Sequence, residues 1–157
     1  MVNILFLAAN PLDMNRLKLK EEYDAIDLAI RTGVYRDHFA LFPLWEVRVG
    51  ELQDALRRYT PNVVHFSGHG SHSNAIYVEN EQGFAHPISD ALLADLFRIA
   101  GNQVRCVVLN ACYTDQQADT IAQQVDYVIG MTGEAADTAA ICFSRAFYQS
   151  LGAGDDL

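Results

Sequence analysis

The chain has 157 residues, half of them hydrophobic, which is enough to bury the core of one globular domain. Its net charge of −9 argues against a nucleic-acid partner, since such proteins present basic surfaces to phosphates. Three cysteines without a close pair argue against a disulfide framework and favour a reducing, cytoplasmic location. The apolar N-terminus lacks a basic leader, and no apolar run approaches the roughly 20 residues of a membrane span, so no membrane partner is expected.

Apolar runs and helical periodicities predict strands and helices in alternation. Asn15 is predicted to cap the first helix and Gly33 to end it, and Pro43 marks the second strand as an edge strand. The predicted strands are 2–9, 39–49, 61–68, a short one at 75–79, 104–109 and 126–130. The predicted helices follow Asn15 and then occupy 51–59, 87–99, 114–124 and 137–151, before an acidic tail at 152–157.

This alternation predicts an α/β fold with a mostly parallel central sheet and helices on both faces. We expect the strands at 2–9, 61–68 and 104–110 to be neighbours. Their carboxyl ends then meet at one edge of the sheet, which is where open α/β sheets form their sites.

Two of these strands end in residues that can carry chemistry. Gly68, His69 and Gly70 follow the strand at 61–68, and the flanking glycines leave the histidine ring free to stand at the rim. The strand at 104–109 leads to Cys112, which lies 43 residues after His69. We expect the chain to hold His69 against Cys112.

A cysteine attacks as its thiolate, which a helix N-terminus can stabilise and a nearby histidine can generate. Backbone N–H groups of Gly70 and Cys112 can then bind the oxyanion of a tetrahedral intermediate. The alternative for Cys112 is a buried structural thiol, the interpretation that suits Cys106 and Cys142 inside apolar elements.

Other sites are weaker candidates. His65, His69 and His72 cluster, but no carboxylate or cysteine completes a tetrahedral metal set, and His65 suits a hydrogen-bonded strand histidine. The sequence lacks a dinucleotide-binding glycine pattern and a serine-hydrolase elbow. We therefore expect no metal and no cofactor, and consider a receiver-like or nucleotide-binding α/β domain less well supported.

The ordered motifs resemble a known family. His-Phe-Ser-Gly-His-Gly at 65–70 and Leu-Asn-Ala-Cys-Tyr-Thr at 109–114 are similar to the two catalytic motifs of caspase-fold cysteine peptidases, and most similar to the bacterial CHAT subfamily. Asn110 and Tyr113 depart from the Gln and the Arg, Gln or Gly that caspases have around their cysteine. Further likenesses to CHAT domains are Asn10-Pro11, Arg16-Leu17, Glu21, the segment 130–134 and Phe147-Tyr148.

The resemblance implies a three-layer caspase-like sandwich over a single domain, 1–157, and cleavage of protein substrates by a cysteine endopeptidase. It makes Cys112 the nucleophile, His69 the general acid and base, and Gly70 with Cys112 the oxyanion donors. Such domains usually run on past the equivalent of Gly152, so one interpretation is a domain truncated at its C-terminus, with weak activity in isolation. The resemblance also implies a regulatory partner or a fused sensor or effector module.

The alternative is a catalytically silent caspase-like scaffold that binds partners. For the enzyme, the acidic side chains Asp13, Glu134 and Asp137 are candidate substrate-binding residues that would favour Lys or Arg at the cleavage site, where caspases take Asp. Most of the net charge falls on residues 61–157, whose only basic side chains besides histidine are Arg98, Arg105 and Arg145. Solubility also explains such charge, and Asp137 can instead cap the last helix.

Overall fold

The computed structural model describes residues 1–73 and 75–155. The strands are β1 Val2–Ala8, β2 Phe39–Leu44, β3 Val63–Ser67, β4 His69–Ser71, β5 Ala75–Glu79, β6 Ala85–Ser89, β7 Cys106–Asn110 and β8 Tyr127–Ile129. The α-helices are α1 Leu19–Thr32, α2 Val49–Tyr59, α3 Asp90–Ala100, α4 Asp115–Ile121 and α5 Asp137–Ala153. None of the helices in these two ranges is long and apolar enough to cross a membrane.

Five strands form a parallel sheet in the order β2-β1-β3-β7-β8. This order confirms that β1, β3 and β7 are neighbours and that β2, with Pro43, is an edge strand. The remaining strands form a separate antiparallel sheet, β4-β5-β6, in which the short strand predicted at 75–79 is the central one. All carboxyl ends of the main sheet lie at one edge, as parallel pairing requires.

The alternation of side chains along each strand divides the core into two layers. On β1, Leu5 and Leu7 pack with α2, α3 and α4, whereas Ile4 and Phe6 pack with α1 and α5. Helices therefore cover both faces, and the predicted α/β three-layer architecture is confirmed.

The predicted cap of the first helix is wrong. Helix α1 begins at Leu19, and its N-cap Lys18 makes no side-chain cap hydrogen bond. The reason lies in Asn10, whose side chain accepts from the Leu17 N–H (3.1 Å) and donates to the Leu17 carbonyl (3.0 Å). These bonds hold the residues before Lys18, including Asn15, in a loop.

Two other predicted boundaries also differ. The strand predicted to reach residue 49 ends at Leu44, because Glu46 takes a left-handed conformation (φ 53°) that turns the chain before helix α2 starts at Val49. Pro87 was predicted inside a helix but lies in β6, where it pairs with Tyr77. Ser89 caps α3 by accepting from the Leu92 N–H at 3.3 Å. The predicted tail begins inside α5, and its last two residues lie outside the described ranges.

Candidate active site

The two strands that lead to His69 and Cys112, β3 and β7, end at the same level of the sheet; they are the carrier strands below. Ser67, the last residue of β3, lies in register with Asn110, the last residue of β7. His69 and Cys112 each follow two residues later. Both line one small cavity of about 50 Å³ beyond the carboxyl ends of these strands. The fold therefore brings the predicted histidine and cysteine to the same cavity.

The His69 ring is oriented by a backbone carbonyl. Its Nε2 lies 2.7 Å from the carbonyl oxygen of Asn15, in the loop between β1 and α1. Because a carbonyl only accepts hydrogen bonds, Nε2 must carry a proton in this contact. The neutral ring then keeps its lone pair on Nδ1, the nitrogen left to accept a proton from a thiol.

The three cysteines differ in their surroundings. Cys112 is partly exposed, whereas Cys106 is buried and burial raises the pKa of its thiol to about 11. Cys142 is exposed, so the prediction of a buried Cys142 is wrong: the outer face of α5 also presents apolar side chains. Exposure alone therefore does not distinguish Cys112 from Cys142. What distinguishes Cys112 is that it lines the cavity together with His69.

The N-terminus of α4 presents fewer free backbone N–H groups to Cys112 than the sequence predicted. The N–H groups of Thr114 and Asp115 both donate to the Met131 carbonyl, at 2.8 and 3.2 Å. These first amides of the helix are thus engaged elsewhere and do not point a free donor at the sulfur. His69, in the same cavity, is then the candidate base for the Cys112 thiol.

Gly70 packs tightly against the backbone of Cys112. A Cβ atom on Gly70 would lie 1.9 Å from the Cys112 carbonyl oxygen, so only glycine fits. Within the described residues the Cys112 N–H donates to no protein acceptor, which leaves it available to a substrate oxygen. The two predicted oxyanion donors therefore belong to adjacent stretches of backbone.

The three acidic candidates lie in different places. Asp137 lines the cavity with His69 and Cys112, and its carboxylate accepts from the Lys18 N–H at 3.2 Å. The alternative in which Asp137 caps α5 is wrong, because the N-cap position is occupied by Ala136.

The other two candidates are exposed and do not line the cavity. Asp13 accepts from the Ala85 N–H at 2.8 Å, which ties it to the small antiparallel sheet. Glu134 lies beside the Tyr113 hydroxyl, and the pKa of Tyr113 is raised by desolvation and by the Glu134 charge.

Sequence reasoning missed a buried carboxylate beneath the cavity. Glu22 of α1 is only 3% exposed and lines the cavity floor. Four side chains donate hydrogen bonds to it: His65 (2.9 Å), Ser144 (2.7 Å), Ser67 and Asn110. The sequence did contain a signal for this carboxylate, namely the polar residues His65, Ser67 and Asn110 within apolar strands. Buried polar groups need hydrogen-bond partners, so such residues indicate a polar group that faces them.

His65 is confirmed as a hydrogen-bonded strand histidine. Its Nε2 faces Glu22, and its Nδ1 lies 3.1 Å from the hydroxyl of Tyr148, which is fully buried on α5. Burial raises the pKa of the Glu22 carboxyl, but the hydrogen bond and charge of His65, with the bonds from Ser67 and Ser144, lower it to about 2. Glu22 is therefore ionised at neutral pH.

Acidification is expected to destabilise the fold through Glu22. A carboxyl whose pKa falls from its usual 4.5 to about 2 on folding adds stability above pH 4.5, and this stability is lost as pH falls towards 2. By linkage the loss is on the order of 3 kcal/mol. Urea unfolding at pH 7, 4 and 2.5 measures it.

The matched variants for this pH dependence are Glu22→Gln and Glu21→Gln, since Glu21 is the exposed neighbour on the same helix. In Glu21→Gln, the unfolding free energy should fall on acidification as much as it does in wild type. In Glu22→Gln, the fall should be smaller, because the contribution of the Glu22 carboxylate is missing. Equal pH dependence in the two variants would contradict the assignment.

No protein-family model matches the chain. It is 27% identical over 156 residues to a Roc-COR-CHAT protease of an unknown prokaryotic organism, and 26% identical over 150 residues to a probable protease of Gillisia limnaea. Each comparison covers 94% of this chain, but only 15% and 26% of the respective relative.

Among solved structures, the fold is similar to the X-ray structure of a secreted C11 cysteine protease from Bacteroides thetaiotaomicron, in complex with an irreversible peptide inhibitor. The TM-score is 0.64 at 12% identity, over 96% of this chain and 58% of that one, so this likeness speaks to the fold alone. The names of the two relatives agree with the resemblance to CHAT domains, and the solved structure confirms the predicted fold.

Proposed function

We propose that this CHAT-like chain is a cysteine endopeptidase domain that cleaves protein substrates through His69 and Cys112. One observation carries the proposal. The two side chains follow the ends of neighbouring parallel strands and line a single cavity. A nucleophile that shares a cavity with an oriented base is a starting arrangement for covalent acyl transfer.

In the proposed mechanism, Nδ1 of His69 takes the proton of the Cys112 thiol, and the sulfur attacks the carbonyl carbon of the scissile peptide bond. The N–H groups of Gly70 and Cys112 donate to the oxyanion that forms. His69 then returns the proton to the leaving amine, and the C–N bond breaks to leave a thioester. Water, deprotonated by His69, attacks the thioester and releases the acid product and the free thiol.

We propose that residues 1–157 act as a single caspase-like domain under the control of a partner or a fused module, without a cofactor. The chain spans only 15% of the length of a relative whose name joins Roc, COR and CHAT, which supports a multi-part setting. The expected partner of the site itself is a protein substrate, not nucleic acid.

We propose a preference for Lys or Arg at the cleavage site, with Asp137 as the recognising carboxylate. Asp137 lines the same cavity as His69 and Cys112, whereas Asp13 and Glu134 are exposed outside it. A charge-assisted hydrogen bond between Asp137 and a basic side chain would select it. Loss of such a bond is expected to lower cleavage after basic residues roughly 10- to 100-fold in Asp137→Asn.

A positional-scanning peptide library, incubated with the full-length protein, tests both the activity and the preference. Asp13→Asn and Glu134→Gln are the matched controls and should keep the wild-type profile. Preferential cleavage after Asp would contradict the specificity. Failure of the activated full-length protein to cleave any peptide would contradict the peptidase and favour the silent scaffold.

A further inference from the structure

The connection between the two carrier strands weakens at the point where the reactive side chains begin. After the register pair of Ser67 and Asn110, the next backbone hydrogen bond between the strands, from the Gly68 N–H to the Asn110 carbonyl, is long at 3.4 Å. The chain then leaves the main sheet, since His69 starts β4 of the antiparallel sheet. Besides the packing of Gly70 against the Cys112 backbone, a side-chain contact fixes the relation between the two strand ends.

Glu22 supplies that contact. Its carboxylate accepts from Ser67 on β3 and from Asn110 on β7, which are register partners and lie two residues before His69 and Cys112 respectively. The same carboxylate accepts from Ser144 of α5 at 2.7 Å, so one group joins α1, both strands and α5.

We propose that Glu22 is the positioning residue of the peptidase site: by accepting from both strand ends, it fixes the separation of His69 and Cys112. The inference rests on the proposed function for its catalytic meaning, because positioning matters only where the two side chains react. A misplacement of about 1 Å between reacting groups costs roughly 10²-fold in rate.

The role requires a carboxylate. An ionised carboxylate is an acceptor at both oxygens, which suits the four donors that surround Glu22. Glutamine would turn an N–H₂ group towards some of these donors. The nearly isosteric Glu22→Gln change therefore breaks the link without leaving a cavity.

Two serines provide a matched test of positioning against plain stabilisation. Ser67 and Ser144 both donate a hydroxyl to Glu22 and both are buried, but only Ser67 belongs to a strand that leads to the site. Ser67→Ala should loosen the strand ends. Ser144 also accepts from the Asn110 side chain at 3.3 Å, so Ser144→Ala should affect the β7 end and lower the melting temperature, but it should leave the β3 end at 66–72 close to wild type.

The experiment is hydrogen–deuterium exchange of the full-length protein, followed in peptides that cover 66–72 and 108–113. Ser67→Ala and Glu22→Gln are expected to raise exchange there about tenfold relative to wild type, a local opening rather than a global one. Glu21→Gln, at an exposed position one residue away, should match wild type. In peptide cleavage, Ser67→Ala should lower kcat roughly 10²-fold while KM changes little.

Equal exchange of the 66–72 peptide in Ser67→Ala and Ser144→Ala, or an unchanged exchange in Ser67→Ala, would overturn the inference. If Glu22→Gln does not fold, the two serine variants still decide it. If the activated wild-type protein cleaves no peptide, the proposed function fails, while the exchange pattern separately reports whether Glu22 fixes the strand ends.

Discussion

Replacing Cys112 with alanine is expected to abolish peptide cleavage while leaving the fold intact. Cys112 is partly exposed, so loss of its sulfur removes little buried surface and should change the melting temperature only slightly. The rate should fall by a factor on the order of 10⁶, the scale seen when a covalent nucleophile is removed from a hydrolase. Cleavage of a peptide library by wild type and Cys112→Ala measures the loss.

Cys142 is the matched control, because it is also exposed but lies on α5 outside the lining of the cavity. Cys142→Ala should cleave as wild type does. In brief iodoacetamide labelling at neutral pH, Cys112 should react faster than Cys142 because His69 can deprotonate it, and Cys106 should react slowest. Residual cleavage by Cys112→Ala, or equal labelling of Cys112 and Cys142, would contradict a thiolate nucleophile.

Replacing Gly70 with alanine is expected to damage both stability and activity. The new Cβ atom would lie 1.9 Å from the Cys112 carbonyl oxygen, and both sides of this contact are backbone, so no side chain can move aside. Forcing such a group into a packed site costs about 1–3 kcal/mol. Displacing an oxyanion donor lowers kcat roughly 10²- to 10³-fold.

Gly133→Ala provides the control for this substitution, since a Cβ atom there would meet nothing within 4 Å. In chemical unfolding and in peptide cleavage, Gly133→Ala should behave as wild type does, whereas Gly70→Ala should be less stable and should cleave more slowly. Gly70→Ala with wild-type cleavage would show that the close contact with Cys112 has no part in the site.

The motifs themselves were enough to predict that His69 and Cys112 meet at one edge of the sheet. Apolar runs that stop before His69 and Cys112 mark the ends of buried strands, and helical segments between them require parallel pairing. Parallel pairing in turn places both strand ends at one edge of the sheet. Adjacency of β3 and β7, the edge position of β2 and the three layers could all be predicted in this way.

Local sequence patterns gave wrong predictions where tertiary packing sets the helix cap or the exposure of a side chain. Asn15 looked like a helix cap, but the Asn10 side chain holds the preceding loop, and the Asn15 carbonyl meets His69 instead. Cys142 looked buried because its neighbours are apolar, yet it lies on the exposed face of α5. Capping and exposure depend on what packs against a residue, which a single stretch of sequence does not specify.

By itself, the sequence determined the architecture and the positions of His69 and Cys112 at one edge of the sheet, because hydrophobic periodicity and turn residues act over short distances along the chain. Only the tertiary structure revealed how those side chains are supported. Glu22 meets Ser67 and Asn110 from positions 45 and 88 residues away in the chain, and Asp137 reaches the cavity from the start of α5. Such contacts form only after folding, when burial forces each polar group to find a partner.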